Sequence, residues 1–122
     1  MEKKILIVDD TPDWVSMLTL RLKHEGYQVA VAFDSMQALS QAKEFWPDLI
    51  LLDIMMPMGG GIEALRRLKQ STKTFPIPVI VITAKEDQET KTTAEGLGIS
   101  GYFTKPVQMD ELISQIKEVL TP

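Results

Sequence analysis

Five residues are of the types that could do chemistry together: the adjacent acids Asp9 and Asp10, a third acid Asp53, the hydroxyl of Thr83 and the ammonium of Lys105. The acids close apolar runs, since ILIV leads straight into Asp9 and LILL straight into Asp53. A charge at the end of a buried strand is costly unless a partner or water meets it there. Three carboxylates brought together repel one another, and either a cation or protonation of one of them relieves the repulsion. Carboxylate and carbonyl oxygens with room for waters suit Mg²⁺ or Mn²⁺, whereas zinc asks for histidine or cysteine. A metal beside a carboxylate, with lysine and threonine aimed at the same point, is the equipment of phosphoryl transfer. The metal and Lys105 neutralise phosphoryl oxygens, Thr83 donates to one of them, and Asp53 is the nucleophile of an aspartyl phosphate.

These residues meet only if the chain lines up the runs before them. KILIV (Lys4 to Val8), YQVAVA (Tyr27 to Ala32), LILL (Leu49 to Leu52), VIVI (Val79 to Ile82) and GYFT (Gly101 to Thr104) read as strands. The first, third and fourth are nearly unbroken β-branched or Leu runs, the pattern of strands buried on both faces of a parallel sheet. Helical periodicity fills the gaps. Thr11 caps and Pro12 opens a first helix that carries Leu18 and Leu22 inward and ends at Gly26. A second runs from Ser35 to Phe45, with Asp34 as cap, Ala38 and Ala42 inward and Pro47 closing it. Ile62, Leu65 and Leu68 mark a third, which starts at Gly61 after a glycine turn, Gly59 to Gly61, free to take positive φ. Met109, Leu112, Ile113, Ile116 and Leu120 line the last. The fourth, KEDQETKTTAEGLG, offers only Ala94 and Leu97 to the interior, so packing holds it weakly.

Strict alternation of strand and helix makes an open, doubly wound sheet, because parallel neighbours need crossovers. Five strands of this kind commonly take the order 2-1-3-4-5, which sets strands one and three side by side at the switch point where ligands bind. The expected fold class is α/β, a flavodoxin-like (βα)5 with a five-stranded parallel sheet. Its carboxyl edge gathers Asp9, Asp10, Asp53, Thr83 and Lys105.

A length of 122 residues suits one domain with its own core. The net charge of −4, with Lys and Arg in pairs and not patches, argues against a nucleic-acid or anionic-membrane surface. The chain has no cysteine, which excludes disulfides and thiolate catalysis. No apolar run reaches the length of a membrane span, and the one after MEKK is too short for a signal peptide, which points to a cytoplasmic protein.

In order, ILIVDD, LLDIMMP, Gly61, VITA and GYFTKP resemble the receiver domain of two-component response regulators, and the resemblance extends over essentially the whole chain, residues 1–122. It implies a phosphorylation-dependent signalling switch and not a metabolic enzyme. Asp53 receives a phosphoryl group from a sensor histidine kinase, a phosphotransfer protein or a small phosphodonor, and the protein catalyses its own phosphoryl transfer and slow dephosphorylation. Asp9, Asp10, Asp53 and the main-chain carbonyl of Met55 carry Mg²⁺, Lys105 pairs with the phosphate, and Thr83 and Tyr102 form the switch. An effector, or a second copy, is then bound through the face of the fourth helix, fifth strand and last helix, without direct contact to nucleic acid or membrane. Three positions depart from the family pattern. Gly60 stands where an acidic or polar residue is frequent, Val107 where an aromatic is frequent, and Thr11 where another acid is common.

Taken singly, the same residues have plainer roles. Asp9 and Asp10 precede a helix N-terminus, Thr83 ends a strand, Lys105 is a surface charge and Tyr102 is core. His24 complements the dipole at the end of the first helix, and the methionines fill gaps. Three other functions compete. A haloacid-dehalogenase-like phosphatase places its nucleophile on strand one in an Asp-x-Asp pattern and adds a cap domain, whereas here the acids are adjacent. A flavodoxin-type binding module needs an anion-accepting loop after strand one, where DDTPD repels a phosphate. A docking-only pseudo-receiver typically lacks an acid or the lysine, and all are present.

Overall fold

The computed structural model describes residues 2–56 and 60–121. Pro57, Met58 and Gly59, which close the LLDIMMP run and open the expected glycine turn, lie outside the described residues. Strands β1 (Lys4–Val8), β2 (Gln28–Ala32), β3 (Leu49–Leu52), β4 (Val79–Thr83) and β5 (Gly101–Thr104) alternate with helices α1 (Pro12–His24), α2 (Ser35–Phe45), α3 (Gly60–Gln70), α4 (Gln88–Leu97) and α5 (Met109–Leu120). The strands form one parallel sheet in the order β2-β1-β3-β4-β5. The expected fold class and strand order are therefore observed.

Alternation along the strands sorts their side chains into two cores. Ile5, Ile7, Leu49, Leu51, Ile80 and Ile82 pack under α1 and α5, against Val15, Leu18, Leu22, Leu112, Ile113 and Ile116. Leu6, Val8, Ile50, Leu52, Val79 and Val81 face the other way, against Ala38, Ala42, Ala64, Leu65, Leu68 and Ala94 of α2, α3 and α4. Every residue of β3 and β4 is buried, as central parallel strands covered by helices on both faces must be. Of α4 only Ala94 is buried, so this helix has the thin anchorage expected of it. None of the described helices is long and apolar enough to cross a membrane.

Several boundaries differ from the sequence expectation, each for a local reason. Thr11 occupies the cap position of α1, but its side chain caps nothing; its main-chain amide donates to Asp9 Oδ1 at 2.9 Å. The end of α1 closes at His24, because Gly26 (φ 97°) donates to the Lys23 carbonyl and Tyr27 to the Leu22 carbonyl. Tyr27 thus spends its N–H on the helix end, and β2 begins one residue later. Pairing of Thr83 with Thr104 extends β4 through Thr83. At α2, Asp34 caps as expected, accepting from the Gln37 amide at 2.8 Å, while Trp46 in a left-handed conformation precedes Pro47.

α3 begins at Gly60, one residue before the expected Gly61, and the two glycines serve different needs. Gly60 takes the positive φ, 44°. Gly61 packs against the segment carrying Asp53: its amide donates to the Ile54 carbonyl at 3.0 Å, and a Cβ there would overlap the Ile54 Cα and the Asp53 carbonyl oxygen. The obstacle is backbone on both counts and cannot rotate away. Gly61→Ala is accordingly expected to cost about 1–3 kcal/mol of stability despite alanine's better helix propensity. Urea unfolding of the two proteins measures it, and an equal or higher midpoint for the variant would contradict the close packing.

Candidate functional site

The sheet ladder continues one step past the strands and thereby sets the site. The Asp9 amide donates to the Ala32 carbonyl at 3.1 Å, the Asp53 amide to Val8 at 2.9 Å and the Lys105 amide to Thr83 at 2.8 Å. Side-chain alternation then continues as well. Asp9 follows Ile5 and Ile7, Asp53 follows Leu49 and Leu51, and Lys105 follows Phe103, all on the α1 and α5 side. Thr83 and Tyr102 have the opposite parity and fall on the side of α4, where Tyr102 packs against the other core.

The consequence is a shared ammonium. Lys105 Nζ lies 3.0 Å from Asp9 Oδ2 and 3.3 Å from Asp53 Oδ2. Asp9 and Asp53 are 2% and 4% exposed, so neither charge is relieved by bulk water. Their other oxygens accept main-chain amides, Thr11 N–H on Asp9 Oδ1 and Met55 N–H on Asp53 Oδ1, each at 2.9 Å. Asp10 joins them half-buried, and one oxygen from each of the three acids lies within 4.8 Å of the others. An all-oxygen, anionic donor set of this kind fits a hard divalent cation such as Mg²⁺.

Thr83 is fully buried at the crevice, and its hydroxyl accepts the Lys85 amide at 3.3 Å. Tyr102, half-buried, donates its hydroxyl to the Lys85 carbonyl at 2.8 Å. One residue of the β4–α4 loop is therefore held by both expected switch side chains. Sequence reasoning had no signal for Lys85, because its part is played by main-chain atoms. Nor did it find that the ring of Trp14 faces the Lys105 ammonium at 5.3 Å. His24 is exposed in the last turn of α1, away from this site, in keeping with its structural role.

A model of the response regulator receiver domain matches residues 5–117. The chain belongs to this family. It is 38% identical over 120 residues to the phosphate regulon transcriptional regulatory protein PhoB of Escherichia coli, covering 98% of this chain and 52% of that protein. It is 40% identical to the alkaline phosphatase synthesis transcriptional regulatory protein PhoP of Bacillus subtilis, over 98% of this chain and 49% of the relative. The chain thus spans about half the length of the curated relatives it matches. Among solved structures, a CheY-like receiver domain protein of Methanospirillum hungatei superposes with a TM-score of 0.92 at 29% identity, covering 98% of this chain and 94% of that one. Receiver domains serve two-component signalling, with phosphorylation and Mg²⁺ as general features of the family. The phosphatase-like and flavodoxin-type alternatives are set aside by this membership.

Burial pushes the Asp53 carboxyl above its ordinary pKa, the Met55 amide pulls it back, Asp9 raises it further, and Thr83 and Lys105 oppose that rise. Ionising Asp53 therefore costs more in the folded than in the unfolded chain. Stability falls as pH rises from the ordinary carboxylate range through the raised folded value, and stays lower above it. Asp53→Asn should melt higher than wild type at neutral pH in EDTA, with the advantage vanishing in acid, where the wild-type carboxyl is protonated in both states. Thermal melts from about pH 3 to about pH 8 test this, and a difference independent of pH would contradict it.

Proposed function

We propose that residues 1–122 form one receiver domain in which Asp53 accepts the phosphoryl group, transferred by the domain's own machinery. The observation that supports this best is the Asp9 and Asp53 pair, buried at the sheet's carboxyl edge and joined by the single ammonium of Lys105. An Asp53 oxygen supplies the electron pair for a new O–P bond. The bond from phosphorus to the donor breaks, its pair leaving with a histidine imidazole, which takes up a proton, or with acetate when acetyl phosphate is the donor. Lys105, already at Asp53, turns its charge to the phosphoryl oxygens. Asp9, Asp10, Asp53 and the Met55 carbonyl would hold Mg²⁺, which when bound neutralises phosphoryl charge. The donor we assign is a sensor histidine kinase or phosphotransfer protein of the cytoplasm.

Thr83 and Tyr102 carry the readout. In this structure the Thr83 oxygen accepts from Lys85 while its hydroxyl favours the charged form of Asp53, and on phosphorylation that proton turns to a phosphoryl oxygen, in a bond strengthened by the new charge. Turning toward the phosphate releases the Lys85 amide, and Tyr102, bonded to the Lys85 carbonyl, feels the same loop move. α4, anchored by Ala94, is the element that shifts at least cost. A switch from mostly off to mostly on needs about 5.5 kcal/mol. One charged hydrogen bond supplies roughly 1.5–3 kcal/mol, so Lys105 and the cation share the task. The face of α4, β5 and α5 then binds an effector or a second copy.

Two outcomes are expected. Acetyl phosphate with Mg²⁺ adds one base-labile phosphoryl group by intact mass, EDTA abolishes the addition, and an adduct persisting in Asp53→Asn would move the acceptor elsewhere. Beryllofluoride, a phosphoryl mimic, changes hydrogen exchange between Lys85 and Tyr102, and Thr83→Ala binds it but loses most of that response. A response in Thr83→Ala equal to wild type would break the coupling through Thr83.

A further inference from the structure

The contact between Trp14 and Lys105 is not explained by packing. Trp14 lies in the first turn of α1, half-buried against the core beneath α1 and α5, with its ring centroid 5.3 Å from Lys105 Nζ. Its indole N–H is buried and finds no acceptor among the described residues. An unpaired buried donor is a cost that Phe or Leu would avoid at the same place. What tryptophan has over both is the electron-rich face that attracts a cation most strongly.

We propose that Trp14 is a positioning residue for phosphoryl transfer, its indole face holding the Lys105 ammonium over the crevice while leaving that charge free for the incoming phosphoryl group. The inference rests on Asp53 being the acceptor. Asp9 and Asp53 also hold Lys105, at 3.0 and 3.3 Å, but those bonds compete with the phosphate for the same ammonium. An aromatic face carries no net charge, so its contact survives when Lys105 exchanges a carboxylate for a phosphoryl oxygen. The Lys105 side chain is 19% exposed, and water can only partly weaken the attraction.

The test compares wild type with Trp14→Phe and Trp14→Leu, with Trp14→Met in reserve should the leucine protein fail to fold by thermal melting. Two readouts are taken: the initial rate of labelling by acetyl phosphate with saturating Mg²⁺, and the NMR shifts of the Lys105 side-chain protons, which a ring face moves upfield. Trp14→Leu should label about 5- to 30-fold more slowly and lose the upfield shift, whereas Trp14→Phe, keeping an aromatic face, should stay within about threefold of wild type. Leucine and methionine proteins that label at the wild-type rate, or an unchanged Lys105 shift without the ring, would overturn the proposal. Wild-type protein that takes no phosphoryl group at all would instead overturn the acceptor assignment of Asp53, and the Lys105 shifts alone would then decide whether Trp14 holds the ammonium.

Discussion

Lys105 stands at the end of β5, yet its ammonium lies between carboxylates from β1 and β3, 3.0 Å from Asp9 and 3.3 Å from Asp53. Two like charges, both nearly removed from water, are tolerable at this separation because one cation serves both. The two main-chain amides that bind the remaining oxygens help in the same direction. Such a buried arrangement is a poor investment for stability, since an apolar cluster of equal volume commonly does as well or better. Its value lies in being incompletely neutralised. Three acids face one lysine, and the excess negative charge makes the crevice ready for a cation.

The sheet is what makes that meeting reproducible. β1, β3 and β4 are clamped between two cores, and their ladder hydrogen bonds run on to the first residue past β1, β3 and β5. Parity then divides the labour. Residues on the α1 and α5 side, Asp9, Asp53 and Lys105, are charged and form the proposed phosphoryl-transfer site, while Thr83 and Tyr102 on the opposite side bond the loop that leads into α4. A slip of one residue in any of these strands would exchange the two sets.

Tight burial at the charged end contrasts with thin anchorage in the helix beyond it. β4 contributes only buried residues, whereas the helix that follows the next loop buries Ala94 alone. Lys85 sits between them with its amide on Thr83 and its carbonyl on Tyr102, so movement at either side chain is passed to the other through one peptide segment. The helix held by the fewest buried residues is thus joined through one loop residue to the hydroxyl buried at the crevice.

Local sequence determined a good deal of this. Continuous apolar runs identified the buried strands, periodicity identified the helices and the weak one among them, and the acids, Thr83 and Lys105 stood at strand ends where an α/β sheet binds ligands. Runs and periods are local properties, so they survive being read one segment at a time. Tertiary structure decided what depends on residues far apart in the chain. That Lys105 bridges Asp9 and Asp53 required β5 to fall two strands from β3 and three from β1. Two local details, the Thr11 amide donating to the Asp9 carboxylate and the Tyr27 amide closing α1 on the Leu22 carbonyl, are choices of hydrogen-bond partner that runs and periods do not report. The need for glycine at position 61 comes from the backbone of Ile54 and Asp53 pressing against it. Trp14 gave no sign of its neighbour, because a ring and an ammonium separated by most of the chain meet only when α1 and β5 pack on the same face of the sheet.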